Sequence, residues 1–383
     1  MSKELGRDEV RERVRHLCEG FGTAYWSALE PDRYPSEFVD ALTRDGWLGL
    51  LIPTEYGGGG QPLSVASVVL EEICAGGASP AACHAQMYVM GTLLRHGSAA
   101  QKARWLPPIA AGELRLQAFA VSEPDAGSDP TAMRTLARPD GDGWVISGRK
   151  TWISRAEHSD LMVLAARTTP AEAAAKPSQG ISVFLVDLRE HAAALRITPI
   201  RTMTNHTTTT IDIDGLRVGP DAVIGEVGKG LRYLLSGMST ERALVAGECV
   251  GDGRFFVRRA AEHAGEREVF GRPLGASQGV QFPIARAHMA VEAADLMRWR
   301  AIGMLEAGDD ATAEAAMAKL LASEASWQAA NACLDAHGAL GYAVDAGLER
   351  KFREARVHLS TPISNGLIQG IVGHQVLGMP RSF

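Results

Sequence analysis

Two nearby stretches concentrate the residue types that could do chemistry. Residues 117–129 read QAFAVSEPDAGSD and bring hydroxyls, carboxylates and a glycine to the end of an alternating, strand-like run. Residues 148–160 read GRKTWISRAEHSD and add a large aromatic ring. Hydroxyl and backbone donors stabilise negative charge on a ligand, and a glycine lets a ligand approach the backbone closely. We therefore interpret the two stretches together as a ligand platform.

The bulk composition limits the class of protein. A chain of 383 residues suits two or three domains, and a net charge of −6 gives no basic field for nucleic acid. No apolar run is long enough to span a membrane. Residues 1–15 do not show the charged segment followed by an apolar segment that is typical of a secretion leader. The five scattered cysteines form no CxxC and indicate buried free thiols. We expect a cytoplasmic protein that binds neither nucleic acid nor membrane.

The familiar catalytic and nucleotide motifs are absent from the sequence. There is no HExxH, no P-loop and no GxGxxG between a strand and a helix, and we expect no metal site. A dinucleotide cofactor, if bound, is therefore not held by a Rossmann fold. The run EYGGGG at residues 55–60 could cradle a phosphate, but a flexible corner between helices is the simpler interpretation.

Residue periodicity predicts helices, then strands, then helices again. The first helices are predicted over 1–20, 35–45, 64–75, 82–94 and 96–113, the last one stopped by Pro107 and Pro108. Strands are predicted over 114–121, 161–167, 181–188 and 207–213, with a hairpin over 141–154 whose strands are WVIS and KTWIS. Long Ala- and Leu-rich helices are predicted over 239–265, 277–307, 312–337 and 363–377. We predict an α+β fold with a helical domain (1–116), a β-sandwich or barrel domain (117–224) and a four-helix bundle (225–383).

Four long motifs occur in order along the chain: SEPDAGSDPTA, ERALVAGECVG, EREVFGRPLGASQGVQFPIARAH and DAHGALGY. With these motifs the sequence resembles the acyl-CoA dehydrogenase family of flavoproteins over nearly its whole length. The resemblance implies FAD extended between the β domain and the bundle, in a homotetramer built as a dimer of dimers. It also implies oxidation of an acyl thioester of CoA or of an acyl-carrier protein, with an electron-transfer flavoprotein as electron acceptor.

The resemblance gives roles to the residues of the platform. Trp152 is implied to cover one face of the flavin, and Ser154 keeps the hydroxyl of the threonine that is more usual there. On the residues alone, a core tryptophan would be the simpler interpretation. The residues implied along the flavin ring are Phe119, Val121 and Ser122. Those implied to meet the pyrophosphate or the acyl carrier are Gly127 and Ser128.

A further group is implied to act across a subunit boundary. Arg267 would pair with the pyrophosphate of the neighbour's FAD, since a guanidinium fork suits phosphate, although a solvated helix-end charge is the alternative. Asp335 stands where many members have glutamine, near the adenosine part. The residues implied to pack on or bond to the same FAD are Phe270, Leu274, Ser277 and Gln278. Those implied to allow close backbone approach are Gly338 and Ala339.

The catalytic base is where this sequence departs from the common family pattern. Many members carry it as the glutamate of a Tyr-Glu-Gly-Thr segment, which aligns here with Thr361 and Pro362. Proline cannot take a proton. Some members, isovaleryl-CoA dehydrogenase among them, use a Glu-Arg pair on the first bundle helix, which corresponds to Glu241 and Arg242. We therefore predict Glu241 as the base that forms a 2,3-enoyl thioester and Arg242 as a substrate contact, the alternative being a helix-stabilising pair.

Other functions on the same scaffold stay open at this point. An oxidase or flavin-dependent monooxygenase would use oxygen and often lacks the base, so Glu241 argues mildly against it. A catalytically silent subunit would divide the site between two chains. Because Ser122, Trp152, Arg267 and Glu241 occur in one chain, a self-sufficient homo-oligomer is favoured.

Overall fold

The computed structural model describes residues 5–381, and these form two compact units. One unit, here called the sheet unit, comprises Pro31–Gln61 and Ala81–Met238. The other, here called the bundle unit, comprises residues 5–30, 62–80 and 239–381. The predicted domain limits at residues 116/117 and 224/225 stay a prediction.

Most predicted helices are present, with shifted ends. In chain order the helices are α1 (Arg7–Glu19), α2 (Thr23–Leu29), α3 (Ser36–Arg44), α4 (Leu63–Ala75), α5 (Ala81–His96), α6 (Ala99–Ala110), α7 (Gly230–Glu266), α8 (Gln278–Ala307), α9 (Thr312–His337), α10 (Leu348–Val357) and α11 (Asn365–Ile371). Helix α7 begins nine residues before the predicted start (230 against 239). Helix α10 was not predicted, and α11 with a following π-turn replaces the longer last helix.

In the N-terminal half, the predicted stop of a helix at Pro107 and Pro108 is wrong, whereas the corner predicted at EYGGGG is present. Each proline removes one backbone donor from α6, but the buried side chains of Leu106 and Ile109 anchor this segment in the core and the helix continues to Ala110. The run EYGGGG is a closely bonded corner, since all four glycine N–H groups donate to backbone carbonyls of residues 49–54. A Cβ at Gly58 would lie 2.2 Å from the Ile52 carbonyl oxygen, so this position requires glycine for packing rather than for phosphate binding.

Within residues 5–381, eight strands of the sheet unit form one mixed sheet in the order β6, β7, β3, β2, β4, β5, β8, with β1 parallel to β4. The strands are β1 (Leu116–Ala120), β2 (Leu136–Asp140), β3 (Gly143–Ser154), β4 (Leu161–Arg167), β5 (Ile181–Asp187), β6 (Leu195–Pro199), β7 (Thr208–Val218) and β8 (Val223–Ile224). Along β4, Leu161 and Val163 enter one core cluster, whereas Met162 and Leu164 enter a second cluster. This alternation follows from the two-residue period of a strand and gives the sheet a core on each face.

The hairpin predicted over 141–154 is wrong in its details. Segments WVIS and KTWIS belong to one strand, β3, whose register against β7 shifts between Ile146 and Gly148. The actual partner of β3 in the hairpin is β2, and the predicted turn DGDG joins them. Gly148 makes the continuous strand possible, because a Cβ there would lie 2.5 Å from the Thr135 hydroxyl.

The bundle unit is held together by small side chains and buried charges. Helices α8 and α9 pack closely, and alanines supply most of the buried surface of α9. Glu71 on α4 is fully buried and is bonded by Arg11, Arg254 and Arg298, which lie on α1, α7 and α8. One carboxylate therefore joins four helices.

All five cysteines lie in the described part of the chain, and all are buried without a disulfide. Burial raises the pKa of Cys18 and of Cys333 to about 12. These thiols are therefore protonated at neutral pH and chemically inert.

Candidate active site

The two stretches of the platform are joined by a buried ion pair. The Lys150 ammonium on β3 lies 2.8 Å from a carboxylate oxygen of Glu123 and donates to the Val121 carbonyl oxygen at 3.0 Å. Glu123 also accepts the backbone N–H groups of Arg134 and Thr135. These bonds fasten the turn after β1 to β3, which gives Glu123 a structural role.

Burial and charge attraction shift the pKa values of this pair in opposite directions. Burial lowers the pKa of Lys150 to about 8, and the carboxylate of Glu123 opposes that shift. Burial raises the pKa of Glu123, but the nearby Lys150 outweighs it, so the net shift is downward. The role of Lys150 was missed from the sequence, where a lysine ordinarily indicates an exposed position.

Substituting Lys150 tests the importance of this pair. Lys150→Met removes the cation and leaves the Glu123 carboxylate buried without its partner, so we expect a loss of about 3–5 kcal/mol in the free energy of unfolding. The measurement is denaturant unfolding of the purified protein. Arg149→Met is the matched control, because the neighbouring Arg149 lies on the surface, paired with Asp212. Equal stability of the two variants would contradict the prediction.

Strand β1 presents the residues predicted to face the flavin. Ala118 and Ala120 are buried on one side, while Phe119 and Val121 are partly exposed on the other. Ser122 follows, half-buried, with its carbonyl accepting the Thr151 N–H at 3.0 Å. The strand period therefore places Phe119 and Val121 together on one accessible surface.

Trp152 has an unusual backbone and an unusual exposure. Its φ is +62°, and 61% of its surface is exposed, at a register shift between Lys150 and Ile153. A left-handed conformation is costly for a tryptophan, and such outliers concentrate at functional sites. The interpretation of Trp152 as a core residue is wrong, because its side chain is exposed and the next residue, Ile153, is the buried one. Ser154 lies two residues further on β3, half-buried opposite Thr208.

The turn at Gly127 and Ser128 is exposed. A Cβ at Gly127 would meet no atom of the described chain within 4 Å. Packing within the protein therefore does not require glycine at this position. Space for an approaching ligand explains the glycine better.

In the bundle unit, Glu241 and Arg242 lie on α7. Glu241 is half-buried, whereas Arg242 is 5% exposed and its Nε has no hydrogen-bond partner among residues 5–381. Burial lowers the pKa of Arg242, and the carboxylate of Glu241 opposes this shift. Pro362 lies between α10 and α11 and offers no group that could exchange a proton.

The residues predicted to contact a neighbour's FAD lie on exposed ends of the bundle unit. The two-residue turn between β9 (Glu268–Val269) and β10 (Arg272–Pro273) has Phe270 and Gly271 at positive φ, and the Phe270 ring is fully exposed. At the end of α9, Gly338 has φ +55°. Further exposed members of the group are Arg267, Gln278, Asp335 and Ala339. The half-buried members are Leu274 and Ser277.

Comparison with known proteins decides the family. Models of the acyl-CoA dehydrogenase N-terminal, middle and C-terminal domains match residues 4–113, 118–216 and 228–361. The chain belongs to the acyl-CoA dehydrogenase family. The predicted family, its fold class and its enzyme class, an oxidoreductase acting on CH–CH groups, are thereby confirmed.

The acyl-CoA dehydrogenase relatives match over nearly their full length. Acyl-CoA dehydrogenase FadE12 of Mycobacterium tuberculosis is 33% identical over 98% of this chain and 97% of its own. A 3-(aryl)acrylate reductase of Clostridium sporogenes is 33% identical over 91% of this chain and 93% of its own. The solved structure of a glutaryl-coenzyme A dehydrogenase complex has a TM-score of 0.89 with 28% identity, covering 100% of this chain and 98% of that one.

FAD is the cofactor of this acyl-CoA dehydrogenase family member. The residues present fit the group. Trp152 offers an exposed aromatic face, Gly127 leaves its surroundings open, and Arg267 offers an exposed guanidinium. Among the described residues, no helix is long and apolar enough to cross a membrane.

Proposed function

We propose that this chain oxidises an acyl thioester to its 2,3-enoyl product, with Glu241 as the base. The observation that carries the proposal is that half-buried Glu241 immediately precedes buried Arg242 on α7, while proline occupies the other base position of the family. Bound FAD would supply the hydride acceptor.

The chemistry requires a carboxylate that is ionised and held in place. A proton next to a thioester carbonyl is weakly acidic, so the base must be near, oriented and shielded from water. Arg242, the next residue on α7, would orient the substrate.

The platform would bind and orient rather than exchange protons. Phe119 and Val121 give an apolar surface, Ser122 and Ser154 add hydroxyls, and Trp152 adds a broad ring. The exposed turn at Gly127 and Ser128 suits a phosphate or the carrier arm. Glu123 takes no part in the chemistry, because Lys150 and two backbone N–H groups occupy its oxygens.

The proposed partners are an acyl-CoA or acyl-carrier-protein substrate and an electron-transfer flavoprotein, in the cytoplasm. A solved structure titled as an electron transferring flavoprotein of Acidaminococcus fermentans has a TM-score of 0.90 with 25% identity, which supports this choice of electron acceptor. The 3-(aryl)acrylate reductase relative acts, by its name, on a double bond of the same kind.

The proposed assembly is a homo-oligomer, a dimer of dimers. Helix α8 carries Phe282, Met289 and Leu296 at a seven-residue spacing, and all three are exposed. Side chains at this spacing lie on one face of a helix, where they form an apolar stripe that a second copy could cover.

Leu296→Glu tests this assembly. Placing a charge inside an apolar subunit interface is costly, so we expect Leu296→Glu to form a smaller oligomer than the wild type at micromolar concentration. Light scattering coupled to size exclusion measures the mass. His288→Glu is the control, since it lies one residue before Met289 and about 100° around the helix. An unchanged mass for Leu296→Glu would contradict the α8 interface.

The experiment that tests the function is anaerobic bleaching of the purified yellow protein by a panel of acyl-CoAs. We expect loss of the oxidised flavin absorbance with at least one short or α-branched thioester, and slow recovery until an electron acceptor is added. The same acyl groups on an acyl-carrier protein distinguish the two carriers. Rapid recovery in air alone would indicate an oxidase, and no bleaching by any thioester would contradict the proposal.

A further inference from the structure

Two histidine rings are stacked where α7 and α9 end. His263 lies in the last turn of α7, and His337 is the last residue of α9. Their ring centroids are 4.1 Å apart with an angle of 19° between the planes. His337 is buried, and its Nδ1 lies 2.7 Å from the carbonyl oxygen of Cys333. Because a carbonyl only accepts, Nδ1 carries the hydrogen and Nε2 is the atom that can take up a second proton.

The stacked pair is directly connected to residues predicted to contact FAD. The carbonyl oxygen of His263 accepts the Arg267 N–H at 2.9 Å, and the Arg267 carbonyl oxygen accepts the Leu274 N–H at 2.7 Å. On the other helix, His337 immediately precedes Gly338. The stacked pair therefore lies at the two helix ends from which Arg267 and Gly338 continue.

The surroundings of the pair resist a second positive charge. Burial lowers the pKa of His337, its bond to Cys333 opposes the shift, and His263 and Arg259 on α7 lower the pKa further. The other titratable group near the ring is Cys333, one turn earlier on α9. Ile284 and Ala287, the α8 residues of the same core cluster, are apolar. The carboxylates nearest in sequence, Glu262 and Glu266 on α7 and Asp335 on α9, are exposed, and among the described residues none forms an ion pair with either ring.

We propose that His263 and His337 form a proton-sensitive clamp on the FAD-contact edge of the bundle unit, which holds this edge when at most one ring is charged and loosens it when both are. The clamp rests on the proposed FAD contacts of Arg267 and Gly338. Because a loosened edge would hold FAD less well, uptake of the second proton and binding of FAD oppose each other. Affinity for FAD should therefore decrease under mildly acidic conditions.

The test is release of FAD from the purified holoprotein as a function of pH. Free FAD fluoresces, so its dissociation constant is measured after dilution between pH 8 and pH 5. For one linked proton we expect the wild-type constant to rise by up to about tenfold per pH unit below the ordinary histidine pKa. His263→Phe and His337→Phe keep a flat ring without the proton site, and each should flatten this dependence on pH.

His16→Phe is the control, because His16 lies exposed on α1 and should keep the wild-type profile. The apoprotein gives a second readout that needs no flavin. Its melting temperature should fall more steeply with decreasing pH in the wild type than in His263→Phe, whose position is half-exposed. Parallel curves for wild type and His263→Phe in both assays would overturn the clamp. A protein that binds no FAD at pH 8 would instead contradict the proposed function, and the apoprotein curves would still decide the clamp.

Discussion

Glu241→Gln is expected to keep FAD and acyl-CoA binding and to lose flavin reduction by about 10²–10⁴-fold. Glutamine has nearly the same size as glutamate but no basic oxygen, so the proton next to the carbonyl has no acceptor. The loss should appear in the rate of the chemical step rather than in the affinity for substrate. Stopped-flow bleaching under anaerobic conditions measures this rate directly.

The matched control is Glu262→Gln, on the same helix α7 but exposed. It should reduce its flavin at the wild-type rate. Normal reduction by Glu241→Gln would show that the base is elsewhere. Loss of FAD together with activity would instead support the alternative that the Glu241–Arg242 pair stabilises the helix.

Glu71→Gln is expected to cost about 3–5 kcal/mol of the free energy of unfolding, as much as the loss of the Lys150 cation. The substitution leaves Arg11, Arg254 and Arg298 facing a neutral amide at a buried junction of four helices. Denaturant unfolding at neutral pH measures the cost. Glu292→Gln is the control, because Glu292 also bonds Arg254 but lies at the exposed rim. Similar stability of the two variants would contradict the central role of Glu71.

The same carboxylate predicts a dependence on pH. Burial raises the pKa of Glu71, but the charges and hydrogen bonds of Arg298, Arg11 and Arg254 outweigh it and lower the pKa to about 2. An unfolded glutamate titrates near about 4.3, so Glu71 stabilises the fold above that pH and loses the contribution as the pH falls towards 2. The difference in stability between wild type and Glu71→Gln should therefore be constant near neutrality and shrink below about pH 4.

The order of the fold could be predicted from the sequence because it depends on local patterns, whereas the roles of the platform residues stay a prediction. The alternating run of β1 and the long Ala-rich run of α9 indicate their own secondary structure. The motif around Ser122 and Trp152 likewise indicates a ligand surface without any three-dimensional information.

The features that could not be predicted depend on contacts distant in sequence. Lys150 is buried only because Glu123, 27 residues earlier, receives it. The rule that proline stops a helix predicts the end of α6 too early, because the rule does not include the core packing of Leu106 and Ile109. The outward direction of Trp152 comes from a register shift against β7, which periodicity within β3 does not reveal.

The burial of every cysteine has a practical consequence for labelling experiments. Because the native thiols are buried, a maleimide dye should react with the folded chain only at a cysteine introduced on its surface. Arg272, exposed beside the Phe270 turn, is a suitable position for such a cysteine. Two dyes placed there on different protomers would report, by energy transfer, the distance between hairpins in the assembled protein.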